Sequence, residues 1–178
     1  RVINKIKILV DKYEQKKIFF ADDIFTIKAK RVMSLCDEII ASGYHKKVSF
    51  ICETRGRELS MNEERGRILL AKMKEANFVS IAFGAETGSE RLMATINKSE
   101  TVQDNIRAIE MTHEAGISAD ASYIMGLPTE TAEDRKMSIK VAKQVPLDAA
   151  RFNVACPYPG TALYETAKAE GRLNIGED

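Results

Sequence analysis

The sequence predicts an α/β fold with parallel strands, on three observations. Short apolar runs alternate with stretches of helical periodicity along the whole chain. The runs start near Ile18, Val48, Val79, Ala119 and Ala150, so a strand recurs every 30 to 40 residues, the length of a strand–helix–strand crossover. Each run ends in charged or Gly/Pro-rich residues, as the mouth of a barrel demands, whereas an open doubly wound sheet gathers such residues at one switch point. Five parallel strands forming part of a barrel, helices outside, are therefore favoured over an open sheet.

The first stretch places Ile3, Ile6, Leu9 or Val10, and Tyr13 on one helical stripe. Ile18 to Ala21 is wholly apolar, the pattern of a parallel strand covered on both faces, and stops abruptly at Asp22 and Asp23. A helix carrying Val32, Met33, Cys36, Ile39 and Ile40 follows and ends at Gly43. Val48 to Cys52 is the second strand, running into Glu53-Thr54-Arg55. Ser60 with Glu63 reads as a capping box for a helix striped by Leu69, Met73 and Ala76. The third strand, Val79 to Phe83, meets Gly84-Ala85-Glu86-Thr87-Gly88. The helical stretch after it divides in two, the second piece starting at Thr101 and Asp104 and ending at Gly116. Ala119 to Met125 runs into Gly126-Leu127-Pro128, and Thr131 with Asp134 caps a helix bearing Met137, Val141 and Val145. The fifth strand, Ala150 to Ala155, precedes Cys156-Pro157-Tyr158-Pro159-Gly160, and Ala162 to Glu170 closes as a short helix.

Composition limits the possible functions. At 178 residues a single core is expected, burying about 70% of the unfolded surface. No linker or low-complexity stretch divides residues 1–178, which read as one domain. Lys and Arg number 27 against 26 Asp and Glu, so no net field favours nucleic acid or an anionic membrane. No apolar run approaches the roughly 20 residues of a membrane span, and a soluble, cytosolic protein is expected. Cys36, Cys52 and Cys156 are too far apart for a disulfide framework or a compact metal site and read as free, mostly buried thiols. His45 and His113 read as solvated.

In a barrel the chemistry belongs where the strands end. Asp22 and Asp23 point to opposite faces if the strand persists, so one can meet a cation or ammonium group while the other caps a helix or pairs with Lys28 or Arg31. Simple capping by both is an equal alternative. Glu86 lies between Gly84 and Gly88, which admit a ligand or another backbone, and its carboxylate suits ribose hydroxyls or an amino group; the alternative is a surface-loop glutamate or one bonded to the N-terminus of the helix starting near Glu90. Arg55 can clamp a carboxylate or phosphate, or pair with Glu53 or Asp22. The Gly126 turn offers backbone amides to a ligand edge. No Ser-His-Asp order, phosphate-cradling glycine motif or histidine cluster is present.

Five segments together resemble the radical S-adenosylmethionine (SAM) superfamily, in the branch often fused to a cobalamin-binding domain. They are Phe20-Ala21-Asp22-Asp23-Ile24-Phe25-Thr26 with Arg31; Cys52-Glu53-Thr54-Arg55; and Phe83-Gly84-Ala85-Glu86-Thr87-Gly88-Ser89 with Ile96-Asn97-Lys98. The others are Ile124-Met125-Gly126-Leu127-Pro128-Thr129-Glu130-Thr131 and Pro157-Tyr158-Pro159-Gly160-Thr161. The resemblance implies a partial (β/α)6 TIM-like barrel with SAM bound across the strand ends. It also implies a [4Fe–4S] cluster on a C-x-x-x-C-x-x-C loop that reduces SAM to start radical chemistry. Carried over by position, Asp22 and Asp23 fall where the family holds the methionine amino group, with Ala-Asp-Asp in place of Gly-Gly-Glu. Glu86 falls near the ribose and methionyl part, and Thr54 and Arg55 in the motif that reaches the SAM carboxylate or the substrate. Ile124 and Gly126 fall on the strand lining the adenine, with Pro157 and Tyr158 in the turn beside it.

No C-x-x-x-C-x-x-C run occurs in the sequence. The family's loop follows its first strand, so the expectation is a five-sixths barrel whose cluster ligands lie upstream of Arg1. Alone it would have an open edge at Ile18 to Ala21 and bind SAM weakly or not at all. The family further implies a flavodoxin- or ferredoxin-type electron donor and, in some members, cobalamin in a separate domain. Two other readings stay open: a lyase or hydrolase holding a divalent metal on Asp22, Asp23 and Glu86, and a non-catalytic barrel module.

Overall fold

The computed structural model describes residues 1–96 and 98–173. Among them lie five strands: β1 (Lys17–Phe20), β2 (Ser49–Thr54), β3 (Phe78–Glu86), β4 (Ser118–Met125) and β5 (Ala149–Val154). All pair in parallel, in sequence order. The helices are α1 (Val2–Lys7), α2 (Ala29–Ala41), α3 (Arg57–Ser60), α4 (Glu63–Glu75), α5 (Glu90–Thr95), α6 (Val102–Glu114), α7 (Ala132–Gln144) and α8 (Ala162–Ala169). α1 continues into a π-helical turn over Ile8–Lys12, which leaves Tyr13 exposed rather than on the buried stripe.

The sheet has two unlike faces. Side chains alternate along each strand, and one set is buried: Ile18, Phe50, Cys52, Ile81, Phe83, Ala119, Ala121 and Tyr123. These pack with Val32, Cys36 and Ile39 of α2, Leu69, Leu70 and Met73 of α4, and Ala108 and Ile109 of α6. Rings of Phe20, Phe25, Phe50 and Phe78 close the β1 side, with centroids 4.9 to 5.7 Å apart. The other set is small or polar and half-buried: Ser80, Ala82, Gly84, Asp120 and Ser122. It forms the inner wall of the partial barrel. The apolar run at Ile18 is therefore not covered on both faces; Phe19 points to the inner side and is exposed.

Capping explains most boundaries. Thr101 with Asp104 and Thr131 with Asp134 form reciprocal capping boxes, as expected. Ser60 does not cap the third unit's helix. It lies in the short α3, donates to Asp104 Oδ1 at 2.8 Å, and leaves Asn62 to cap α4 through a bond from the Arg65 amide. No helix among the described residues is long and apolar enough to cross a membrane.

Candidate functional site

A cleft of about 440 Å³ opens on the inner wall at the C-terminal ends of β2, β3 and β4. Its walls come from the segments after β1 (Asp23, Ile24), from β2 and the residue beyond it (Glu53, Thr54, Arg55), from β3 (Ala82, Phe83, Gly84, Glu86) and from Lys98 and Ser122. The volume falls within the usual range for small-molecule sites.

Glu86 owes its place to an irregularity of the strand. The β3–β4 register slips between Gly84 and Glu86, and Glu86 takes a left-handed backbone, φ 59°. Bulges of this kind re-aim a side chain and recur beside active sites. Glu86 Oε1 accepts from Lys98 Nζ at 2.6 Å, and Lys98 also donates to the Gly84 carbonyl. The two glycines flanking Glu86 do different things. A Cβ at Gly84 would stand 2.9 Å from both Glu86 Oε1 and Lys98 Nζ, so this glycine keeps the cleft wall open. A Cβ at Gly88 would meet the Met137 carbonyl and Ser138 Cα at 2.7 Å; that glycine lets the loop lie on α7, where Ser138 Oγ accepts from its amide.

Of the residues singled out in the sequence, Asp23, Thr54, Arg55 and Glu86 converge on this cleft. Asp22 does not. It turns to the α1–β1 groove and pairs with Arg31 at 2.9 Å, so the two adjacent acids do diverge. Thr54 Oγ1 sits 2.5 Å from Thr26 Oγ1, which ties β2 to the segment after β1. Ile124 is half-buried near the end of β4. The Gly126 amide is not free for a ligand: it donates to Glu130 Oε2 at 2.7 Å, and Arg135 binds the same carboxylate. Pro157 and Tyr158 lie in the loop after β5, where Tyr158 is exposed and its carbonyl accepts from Thr161.

Lys98, Glu53 and Ser122 also line the cleft without having been assigned a role from sequence. Period-two alternation along β4, with Ala119, Ala121 and Tyr123 on one face, was the available signal for Ser122; Lys98, 12 residues past Glu86, stood in the Ile96-Asn97-Lys98 part of the third resembling segment, but no role was carried over to it.

Three carboxylates (Asp23, Glu53, Glu86) face two cations (Arg55, Lys98), so the cleft carries a net negative formal charge. With its hydroxyls it suits a polar ligand bearing both cationic and anionic groups, and SAM, with sulfonium, ammonium and carboxylate, is of that kind. An iron–sulfur cluster does not fit these residues. Cys36 and Cys52 are buried among apolar side chains, and burial pushes the Cys36 thiol up to about 12 and Cys52 upward as well. Cys156 is exposed rather than buried. Among the described residues no group of three His, Cys, Asp or Glu side chains could hold a metal. That includes Asp22, Asp23 and Glu86, because Asp22 is engaged by Arg31 and Glu86 by Lys98. His113 is exposed, but His45 departs from expectation, its Nδ1 being buried without a partner.

Comparison with known proteins gives a consistent picture. The model of the Radical SAM superfamily matches residues 1–142. An uncharacterized methyltransferase of Pyrococcus horikoshii is 36% identical over 173 residues, 97% of this chain and 36% of that protein. The anaerobic magnesium-protoporphyrin IX monomethyl ester cyclase of Cereibacter sphaeroides is 30% identical over 165 residues, 93% of this chain and 26% of that protein. The chain thus spans about a third or less of these relatives. Among solved structures, the radical SAM methyltransferase TsrM of Kitasatospora setae, with cobalamin and a [4Fe–4S] cluster bound, superposes with TM-score 0.73 at 16% identity, covering 88% of this chain and 31% of that one. The cobalamin-dependent SAM radical enzyme OxsB superposes with TM-score 0.70 at 16% identity, covering 95% of this chain and 25% of that one. Likeness at these identities is one of fold.

Proposed function

The chain belongs to the Radical SAM superfamily, and from that premise we propose that it forms the SAM-binding barrel portion of a longer radical SAM iron–sulfur enzyme. One observation carries the reading: the cleft at the strand ends, where the β3 bulge turns Glu86 onto Lys98 beside the open wall at Gly84. SAM, bound beside a reduced cluster, supplies radical chemistry or a methyl group.

The chain's own residues bind and orient. Glu86 accepts hydrogen bonds from the ribose hydroxyls or the amino group, and Lys98 holds its carboxylate in place. Arg55 takes the methionyl carboxylate, for which a guanidinium is matched in charge and geometry. Asp23, freed from Arg31 by the divergence of the two acids, stands opposite as an ammonium acceptor. The inner wall from Ser122 to Ile124 and Gly126 backs the adenine, with the loop at Pro157 and Tyr158 beside it. Glu130 keeps that turn in shape by occupying the Gly126 amide. Since the described residues offer no site for a cluster, its ligands would have to come from another part of the longer protein, and an electron donor of flavodoxin or ferredoxin type would be its partner. Methyl transfer, with cobalamin in another domain, is the reaction supported by the names of the Pyrococcus relative and of TsrM.

The test is anaerobic reconstitution of the full-length protein with iron and sulfide, followed by iron counting and analysis of SAM products after reduction. About four irons per chain, with 5′-deoxyadenosine or S-adenosylhomocysteine formed, is the expected result. The first product marks hydrogen abstraction and the second methyl transfer. A protein with neither cluster nor turnover would refute the proposal.

A further inference from the structure

Glu100 is a wholly buried carboxylate lying outside the hydrophobic core, one residue before the Thr101 cap of α6. Its two oxygens face two different parts of the molecule. Oε1 is 3.1 Å from Lys98 Nζ. Oε2 accepts from the amide of Arg57, the first residue of α3, at 3.4 Å. The Arg57 guanidinium donates in turn to the Ser99 carbonyl at 2.5 Å. The segment from Lys98 to Glu100 is thereby clasped to a point two residues past Arg55, while Lys98 itself is bonded to Glu86 and Gly84. One carboxylate ties the β2-end wall of the cleft to the β3-end wall.

The electrostatic consequence is specific. Two carboxylates share one ammonium, so the Glu86–Lys98–Glu100 triad keeps a net negative charge in a shielded place. A buried carboxylate is costly to desolvate, and a glutamine of nearly the same shape would fill the space without that cost. Without the charge of Glu100, Lys98 would serve Glu86 alone, and the pair would be neutral toward a ligand.

We propose that Glu100 is a positioning residue that keeps Lys98 from fully neutralising Glu86, so that the cleft prefers a sulfonium ligand to the neutral thioether left when the sulfonium loses a group. This rests on reading the cleft as a SAM site, and it gives that site a means of telling SAM from S-adenosylhomocysteine.

The experiment titrates the full-length protein, its Glu100→Gln variant and its Glu100→Asp variant with SAM and with S-adenosylhomocysteine. Glu100→Gln is expected to lose about tenfold in SAM affinity, because one negative charge fewer then faces the sulfonium in a partly shielded site, while S-adenosylhomocysteine binding stays within about twofold. Glu100→Asp, which keeps the charge, keeps the preference. Equal losses for both ligands, no loss for either, or an Asp variant as indifferent as the Gln variant would overturn the inference and leave the SAM site standing. A wild-type protein that bound neither ligand would overturn both.

Discussion

At the scale of single residues, function in this molecule depends on what a side chain is relieved of doing. Arg31 takes Asp22, which leaves Asp23 to the cleft; Ser138 takes the Gly88 amide, and Glu130 takes the Gly126 amide. The glycines around Glu86 make the point testable. Gly84→Ala meets only the mobile ends of Glu86 and Lys98, whereas Gly88→Ala meets α7 backbone. Gly84→Ala should change stability by about 1 kcal/mol or less yet weaken SAM binding, and Gly88→Ala should cost about 1–3 kcal/mol from overpacking. Denaturant midpoints and SAM titration of both variants check this; a Gly84→Ala protein that binds SAM as wild type does would show that the Gly84 wall does not touch the ligand.

At the scale of elements, α6 and α7 are fixed at their starts by carboxylates that also join neighbouring units. Asp134 caps α7 with Thr131, and its carboxylate also accepts from Ser89 Oγ and from Arg91, which binds α5 to α7. Those hydrogen bonds, from Ser89, Thr131 and Arg91 in that order, hold its carboxyl far below the ordinary aspartate value. Asp104 behaves alike: burial alone would raise it, but bonds from Thr101 and Ser60 with the Arg57 charge nearby bring it down. A carboxyl depressed in the folded state stabilises above its unfolded value and loses that contribution as pH falls. Wild-type thermal stability should therefore drop between about pH 5 and pH 3 more steeply than that of Asp134→Asn; parallel profiles would contradict the assignment. Both capping boxes were legible because Thr and Asp stand three apart before an apolar stripe. The same signature misled at Ser60 and Glu63. Asn62 stands directly before α4, and the four residues of α3 are too few to show a period.

At the scale of the whole molecule, five parallel strands in sequence order present one apolar face to the helices and one small, polar face inward. Strand number and polar strand ends could be read from the sequence because each depends on local pattern, and the spacing of the strands implied their parallel pairing. The cleft could be read only in part. Asp23, Thr54, Arg55 and Glu86 sit at strand ends and announce themselves, whereas Lys98 reaches the site across a helix and Glu100 acts only through it. The bulge that aims Glu86 is likewise a property of two strands in register, not of either alone. The central claim is that SAM occupies this cleft, and hydrogen–deuterium exchange of the full-length protein with and without SAM tests it most directly. Protection on SAM addition is expected at three separated segments, residues 53–57, 84–89 and 122–126, which only the folded strand ends bring together. Protection confined to other parts of the chain, with these three unchanged, would contradict the account.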